Sequence, residues 1–380
     1  MKILHVVSSL NRNAGGISEV VPRLCEELKH SGQDVRIVTC KSKEYSDAAL
    51  SAENAGVPIV HAELNQCRFG LAFSWDFKKR IEESVADADI VHINGLWQAP
   101  GWIAARAAQR GNKPFVIQPH GLLEPARLKI SKWKKCIAGV LVEKRNLKRA
   151  TALVATSKSE AEGFGKYGID VTPYIMPIGL DWQKFVSDEN TKSKRLGKKK
   201  LLYFSRVSPI KGLDMLAYAW ARLKRLHSKW DLVVAGPDDR GYASRIKSVF
   251  ESLSPDGSVH FIGPVYGDDK LELLHSADAF VLPTRSENWS IAVAEAMASG
   301  VPVVCTKGAP WQCLNECGAG KWVDVSINGI TEGLEAVMSA SDMERMDMGR
   351  KGREWVKENL DWGKIAESAI KFYHSCVEDS

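Results

Sequence analysis

Residues 285–300 read Arg285-Ser286-Glu287-Asn288-Trp289-Ser290-Ile291-Ala292-Val293-Ala294-Glu295-Ala296-Met297-Ala298-Ser299-Gly300. An apolar run ended by proline, Ala279 to Pro283, precedes this stretch and a second, Val301 to Cys305, follows it, so it is the crossover of one strand-loop-helix-strand unit. Ala, Met and Glu between Ile291 and Ala298 favour helix and Gly300 supplies a stop, which leaves Asn288, Trp289 and Ser290 in the loop at the helix start. The first N–H groups of such a helix have no carbonyl partner inside it, and the dipole adds positive potential. This end therefore suits a phosphate or diphosphate. Glu287 on the loop and Glu295 about one turn into the helix flank that anion site and can grip opposite ends of one ligand. Taken alone, the pair also fits an ordinary loop carboxylate and a helix-surface residue.

The stretch resembles the E-x7-E signature of retaining, nucleotide-sugar-dependent glycosyltransferases of family 4, and Gly300-Val301-Pro302-Val303-Val304 continues it as that family does. The resemblance implies the GT-B fold: two doubly wound, Rossmann-like α/β domains facing across a cleft. Gly-Phe-Gly more usually follows the first glutamate in the family, whereas Asn288-Trp289-Ser290 stands here. That departure bears on which sugar is taken more than on the chemistry.

A chain of 380 residues is long enough for two domains, each with its own core. Hydrophobic content of 44% with 26% charged residues describes a soluble globular protein. No apolar run reaches membrane-spanning length, and Met1 to Val7 reads as a strand rather than a signal peptide, so a cytoplasmic protein is expected. The eight cysteines are scattered, and Cys313 and Cys317, the one close pair, lack partners at a zinc spacing; no metal is expected. The net charge of +6 is unevenly spread. Residues 127–149 hold nine Lys or Arg against one Glu, and 192–200 hold six without an acid. Such patches attract phosphates.

Read in order, Lys2 to Val7 is a buried strand, followed by a loop with Gly15-Gly16 and a helix from Ile17 to about Lys29. The glycine pair lets backbone approach a ligand at a helix start, though it fits a flexible turn equally well. Strands at 34–39, 58–61, 89–93, 114–118 and 151–155 alternate with helical segments such as 76–84 and 101–109, the pattern of a parallel doubly wound sheet whose ligands bind beyond the carboxyl ends of the strands. Three polar clusters fall there: Gly15-Gly16, His92 to Trp97 with Asn94, and Pro119-His120-Gly121. His92, inside its strand, reads as a core residue. Residues 122–149 form a basic amphipathic stretch that reads equally as a solvated helix on the sheet or as a surface meeting anionic lipid or a lipid-diphosphate glycan. No nucleic-acid recognition motif accompanies the charge.

Tyr174 to Asp181 looks like the interdomain connection, which bounds an N-terminal domain at 1–177 and a second at 178–361, with the last helix, about 362–380, crossing back to the first. The second domain opens with a strand at 200–206, continues through Lys211-Gly212, and turns helical from about Leu213 to Leu226. Further strands are expected at 231–235, 258–262, 279–282 and 301–305. Arg206 and Lys211, five apart across a strand-to-helix loop, can point at one anion.

The resemblance adds roles to these positions. It implies that Arg206 and Lys211 hold the donor diphosphate, that His120 contacts the donor sugar, and that Gly15-Gly16 lies near diphosphate and acceptor. The backbone after Gly263, at Val265, is placed beside the nucleobase, with Gly236 ending the neighbouring strand. Asn288, Trp289, Ser290 and Ile291 supply the helix N-terminus, with Glu287 on the transferred sugar and Glu295 on the ribose. The expected activity is retaining transfer, without a metal or other cofactor, from a UDP- or GDP-sugar to a glycan or lipid-linked oligosaccharide. Peripheral contact with the anionic inner face of the cell membrane follows from the basic stretch. Two other readings stay open: an epimerase or phosphorylase on the same double-domain plan, and a non-catalytic binder of nucleotide or anionic polymer.

Overall fold

The computed structural model describes residues 1–14, 16–63, 73–123, 142–186 and 197–380, which fall into two compact units: Met1–Gly179 with Trp362–Ser380, and Leu180–Asp361. Gly15, residues 124–141 of the basic stretch and residues 187–196 of the Lys-rich run lie outside the described residues.

In the first unit the strands are β1 (Lys2–Ser9), β2 (Asp34–Cys40), β3 (Ile59–Ala62), β4 (Ile90–Asn94), β5 (Phe115–Gln118), β6 (Ala152–Ala155) and β7 (Tyr174–Ile175). They form a parallel sheet ordered β3-β2-β1-β4-β5-β6-β7 among the described residues, with helices α1 (Ile17–His30), α2 (Asp47–Asn54), α3 (Trp75–Asp87), α4 (Ala99–Arg110), α5 (Lys144–Arg149) and α6 (Lys158–Tyr167). Both faces of β1 are covered, which is why its sequence is a near-continuous apolar run. Ile3 and Val7 pack with Val21, Leu24 and Leu28 of α1, while Leu4 and Val6 pack with Phe77 and Ile81 of α3 and with Ala104 and Ala108 of α4.

The second unit orders its strands β10-β9-β8-β11-β12-β13: β8 (Lys199–Phe204), β9 (Trp230–Ala235), β10 (Val259–Gly263), β11 (Ala279–Leu282), β12 (Val303–Thr306) and β13 (Gly320–Val323). Its helices are α7 (Leu213–Arg222), α8 (Tyr242–Leu253), α9 (Gly267–His275), α10 (Ile291–Ala298), α11 (Cys313–Glu316), α12 (Ile327–Ser339) and α13 (Asp342–Asn359). The helix expected to run to Leu226 stops at Arg222, and a 3-10 turn covers Lys224–Leu226. Trp220 and Trp230 are fully buried in this unit. The last helix, α14 (Trp362–Glu378), belongs to the first unit, where Ile365, Ala366, Ala369 and Tyr373 join the same core as α1.

Each sheet reverses its strand order once, between β1 and β4 and between β8 and β11. Loops leaving the carboxyl ends of strands on either side of such a reversal diverge and open a crevice, the usual place for a ligand. In the second unit those loops are 205–212 and 283–290, the two stretches with the clearest motifs. α10 is held from behind by glycines of α13: a Cβ at Gly349 would overlap the Gly300 carbonyl, and one at Gly352 would stand 3.5 Å from Met297. This close approach holds the C-terminal end of α10 in place.

Candidate functional site

In the second unit the two loops at the reversal are joined as one body. Arg285 donates its backbone N–H to the Ile210 carbonyl (2.8 Å) and its guanidinium to the Pro209 carbonyl (2.7 Å) and, through both terminal nitrogens, to Asp214 (2.8 and 2.6 Å). Gly212, at φ 72°, passes so close to Pro283 that a Cβ would overlap the Pro283 carbonyl oxygen. Glycine there meets both the left-handed backbone and the lack of space. On this body the Lys211 ammonium and the Glu287 carboxylate form a direct ion pair, each side chain largely buried, and the Glu287 N–H donates to the Gly308 carbonyl at 2.7 Å. Two groups expected to serve different parts of a ligand are therefore in contact. The Arg206 side chain is exposed, and its carbonyl accepts from the Tyr203 hydroxyl at 2.8 Å.

Ser290 is the N-cap of α10 at φ 74°, ψ 89°, and its side chain caps no backbone N–H. The left-handed conformation explains the glycine common at this position in the family that the stretch resembles: a Cβ is disfavoured there. Ser290→Gly is expected to stabilise the second unit by ~0.5–1 kcal/mol, the relief of left-handed strain less the entropy that glycine gains when unfolded. Thermal melting of the variant checks this. Trp289 is buried with its indole against Trp311, ring centroids 4.9 Å apart, and Trp311 donates its indole N–H to the Trp289 carbonyl. Its ring thus anchors the loop from within. Asn288 and Ile291 are half-buried beside it.

Glu295 is buried, and its carboxylate meets the Lys270 ammonium at 2.6 Å, with Lys270 5.7 Å above the Phe185 ring. Burial pushes the Glu295 carboxyl up and Lys270 pulls it back. Lys270, on α9 a few residues beyond Gly263-Pro264-Val265, is the partner that sequence reasoning missed, because nothing local joins residues 270 and 295. Gly236, at φ 142°, donates its N–H to the Gly263 carbonyl (2.8 Å), and a Cβ on it would overlap the Ser205 carbonyl. The turns after β8, β9 and β10 thereby meet. Val265 is half-buried on the last of them.

In the first unit His120 has φ 54° and bonds through Nε2 to Asn94 Oδ1 at 3.0 Å. Burial lowers its imidazole to a pKa of about 4, so it is neutral at physiological pH. The next residue, Gly121, donates its N–H to the buried Glu160 carboxylate, whose other oxygen accepts the Thr156 N–H and hydroxyl, both at 2.7 Å. Glu160 thus clamps the His120-Gly121 turn to the end of β6. It stands forty residues along the chain from that turn and carries no motif. His92 is in the core as expected, with Nδ1 2.7 Å from the Tyr373 hydroxyl. Gly16 begins α1, and a Cβ there would meet nothing within 4 Å. The loop end is thus open space.

Among the described residues no group of three or more His, Cys, Asp or Glu is arranged to hold a metal ion, and no helix is long and apolar enough to cross a membrane. Residues 186–355 match the family model described as glycosyl transferases group 1, and residues 15–177 match the glycosyl transferase 4-like domain. The chain is similar to a GDP-mannose:cellobiosyl-diphosphopolyprenol alpha-mannosyltransferase of Xanthomonas oryzae pv. oryzae, 25% identical over 390 residues and covering 99% of this chain and 97% of the relative. A D-inositol 3-phosphate glycosyltransferase of Pseudarthrobacter chlorophenolicus is 27% identical over 399 residues, covering 96% and 91%. Among solved structures, Anabaena HepE in complex with UDP superimposes with a TM-score of 0.78 at 17% identity, covering 99% of this chain and 100% of that one. That likeness shows the fold, GT-B.

Proposed function

Because the chain belongs to the group 1 glycosyl transferases of family 4, matched in both of its units, we propose that it moves a hexose from a UDP- or GDP-sugar to a glycan or lipid-linked acceptor with retention at the anomeric carbon. The carrying observation is the joined pair of loops at the reversal of the second sheet, which sets Lys211 and Glu287 beside the N-terminus of α10. A leaving diphosphate needs its growing negative charge offset, and preorganised cations and helix N–H groups do so without reorganisation at the moment of reaction. Arg206, Lys211 and the amides from Asn288 to Ile291 supply them. Glu287 faces the sugar, where a carboxylate orients hydroxyls and stabilises positive charge at the anomeric carbon. Glu295, held by Lys270, takes the ribose hydroxyls, and the turn at Gly236 and Val265 borders the base. The family resemblance assigns His120 to the sugar, and Gly15 and Gly16 to diphosphate and acceptor. Retention is taken from the family, and among the described residues none is assigned as a covalent nucleophile, which favours same-face attack.

The name of one relative supports the acceptor class, since it transfers mannose to a disaccharide on a diphosphopolyprenol; another relative acts on an inositol phosphate. The first points to lipid-linked glycan assembly, and the basic stretch at 127–149 suits a peripheral position on an anionic membrane. Screening UDP- and GDP-sugars for thermal stabilisation, then for hydrolysis and transfer, tests the proposal; no stabilisation and no nucleotide release with any donor would overturn it. Activity is also expected to persist in excess EDTA, since protein cations perform the neutralisation. Loss in EDTA that magnesium or manganese restores would refute a metal-independent reaction.

A further inference from the structure

We propose that Asn94 is a positioning residue that fixes His120 as its Nε2–H tautomer, so that Nδ1 is presented as a hydrogen-bond acceptor to a hydroxyl of the bound sugar. The inference rests on the reading of His120 as a sugar contact, but its first half concerns the protein alone. An amide side chain has one accepting and one donating end, and its orientation follows from what surrounds it. Asn94 ends β4, and its Nδ2 lies 3.2 Å from the His92 carbonyl and 3.4 Å from the Val6 carbonyl of the neighbouring strand. Two carbonyl oxygens can only accept, so the NH2 must face them; the flipped amide would set oxygen against oxygen twice. Oδ1 is thereby aimed at His120 Nε2, 3.0 Å away. An oxygen that can only accept requires a proton on Nε2. A neutral imidazole carries one proton, which leaves Nδ1 with its lone pair.

The rest of the surroundings fits. Asn94 is buried and its backbone is held on both sides in the sheet, by β1 and β5. The Glu160 clamp on Gly121 holds the turn that carries the ring. Nδ2 also lies 3.3 Å from His5 Nδ1, which can accept from it. Among the described residues the groups bonded to or through Asn94 around His120 are neutral amide and imidazole, with Glu160 engaged by backbone and hydroxyl donors rather than by the Nε2 proton. A hydroxyl that donates to Nδ1 is distinguished from one that can only be donated to. The device therefore selects for a sugar hydroxyl free to turn its hydrogen toward the ring.

The test begins without substrate. Nitrogen-15 spectra of labelled protein, with His120→Gln identifying the ring by its missing signals, are expected to show His120 protonated at Nε2 and unprotonated at Nδ1 at pH 7.5. Observation of the Nδ1–H tautomer or of an imidazolium would overturn the assignment, whatever the enzyme proves to transfer. Asn94→Ala should release the ring into a mixture of tautomers and lower kcat by roughly tenfold, the size of one neutral hydrogen bond lost in the transition state, with donor KM nearly unchanged. An unaltered tautomer in the variant would also overturn it. Should Asn94→Ala fail to fold, the native spectrum still decides. A correct tautomer combined with unaltered turnover in both His120→Gln and Asn94→Ala would remove His120 from the sugar site while leaving the tautomer assignment intact.

Discussion

Glu287→Gln is expected to lower kcat by roughly 10²- to 10³-fold, the cost of removing one preorganised electrostatic group from a transition state. The substitution keeps the size of the side chain and removes its charge. What makes the result diagnostic is the Lys211–Glu287 ion pair. A diphosphate that binds Lys211 must compete with the Glu287 carboxylate for it, so neutralising Glu287 should leave nucleoside diphosphate affinity unchanged or tighter, by up to about tenfold, or ~1.4 kcal/mol. Turnover and product binding would then move in opposite directions. A mutation that only damaged the loop would weaken both. Weaker nucleotide binding alongside lost turnover would assign Glu287 to loop structure, and unaltered turnover would remove it from the site.

Glu295→Gln should behave differently, because Glu295 is the more deeply buried of the two glutamates and holds Lys270. Losing one member strands the other, which costs stability as well as any contact to ribose. A raised donor KM accompanied by a lower melting temperature is therefore the expected pattern, in contrast to Glu287→Gln, whose own carboxylate is the more exposed of the two glutamates.

How much of this could be read from the sequence follows from the range of the signal. The strand-loop-helix unit at 279–305 was legible because every cue is local: apolar runs of strand length, Pro283, helix formers from Ile291 and Gly300. β1 to β6 and β8 to β12 came from alternation alone. β13 was not legible: it is four residues beginning with Gly320, and what makes it a strand is pairing with β12, where a Cβ on Gly320 would overlap Val303. β7, two residues long, is likewise a product of pairing. Asn94 stood out as a polar residue at a strand end, yet its bond to His120 spans 26 positions. The Glu295–Lys270 pair spans 25 and the Glu160 bond to Gly121 spans 39. Such partners are chosen by the sheet order, which sequence periodicity does not specify. The departure at Asn288-Trp289-Ser290 was visible as a change of residue types, but its meaning lay in the backbone. Trp289 turns inward to Trp311 and Ser290 takes the glycine conformation.

The same buried polar arrangement predicts that the first unit loses stability steeply below neutral pH. His5 and His92 stand on adjacent strands in the core with ring centroids 4.7 Å apart, and His120 adjoins them through Asn94. Burial lowers His5 to about 3 and His120 to about 4, and drives His92 well below its ordinary value. Each folded-state pKa is depressed below the unfolded value of ~6.5, so the unfolded chain takes up protons first as pH falls. The stability these groups allow is complete above pH ~6.5 and is lost as pH drops toward their folded values. At pH 5, 1.5 units below the unfolded pKa, each histidine that stays neutral in the fold forfeits ~2 kcal/mol, and three forfeit up to ~6 kcal/mol. That is comparable to the whole stability of many domains, ~5–15 kcal/mol. Glu143 and Glu160, raised by burial, act in the opposite direction and offset part of the loss as pH approaches their values. Hydrogen exchange is expected to show β1 and β4 opening far more often at pH 5 than at pH 8, after correction for intrinsic rates. His5→Leu should remove about one third of that sensitivity, since Asn94 Nδ2 keeps its two carbonyl acceptors. Equal protection of β1 and β4 at both pH values would mean that the imidazoles gain protons in the folded state by pH 5, and burial would not be holding them neutral.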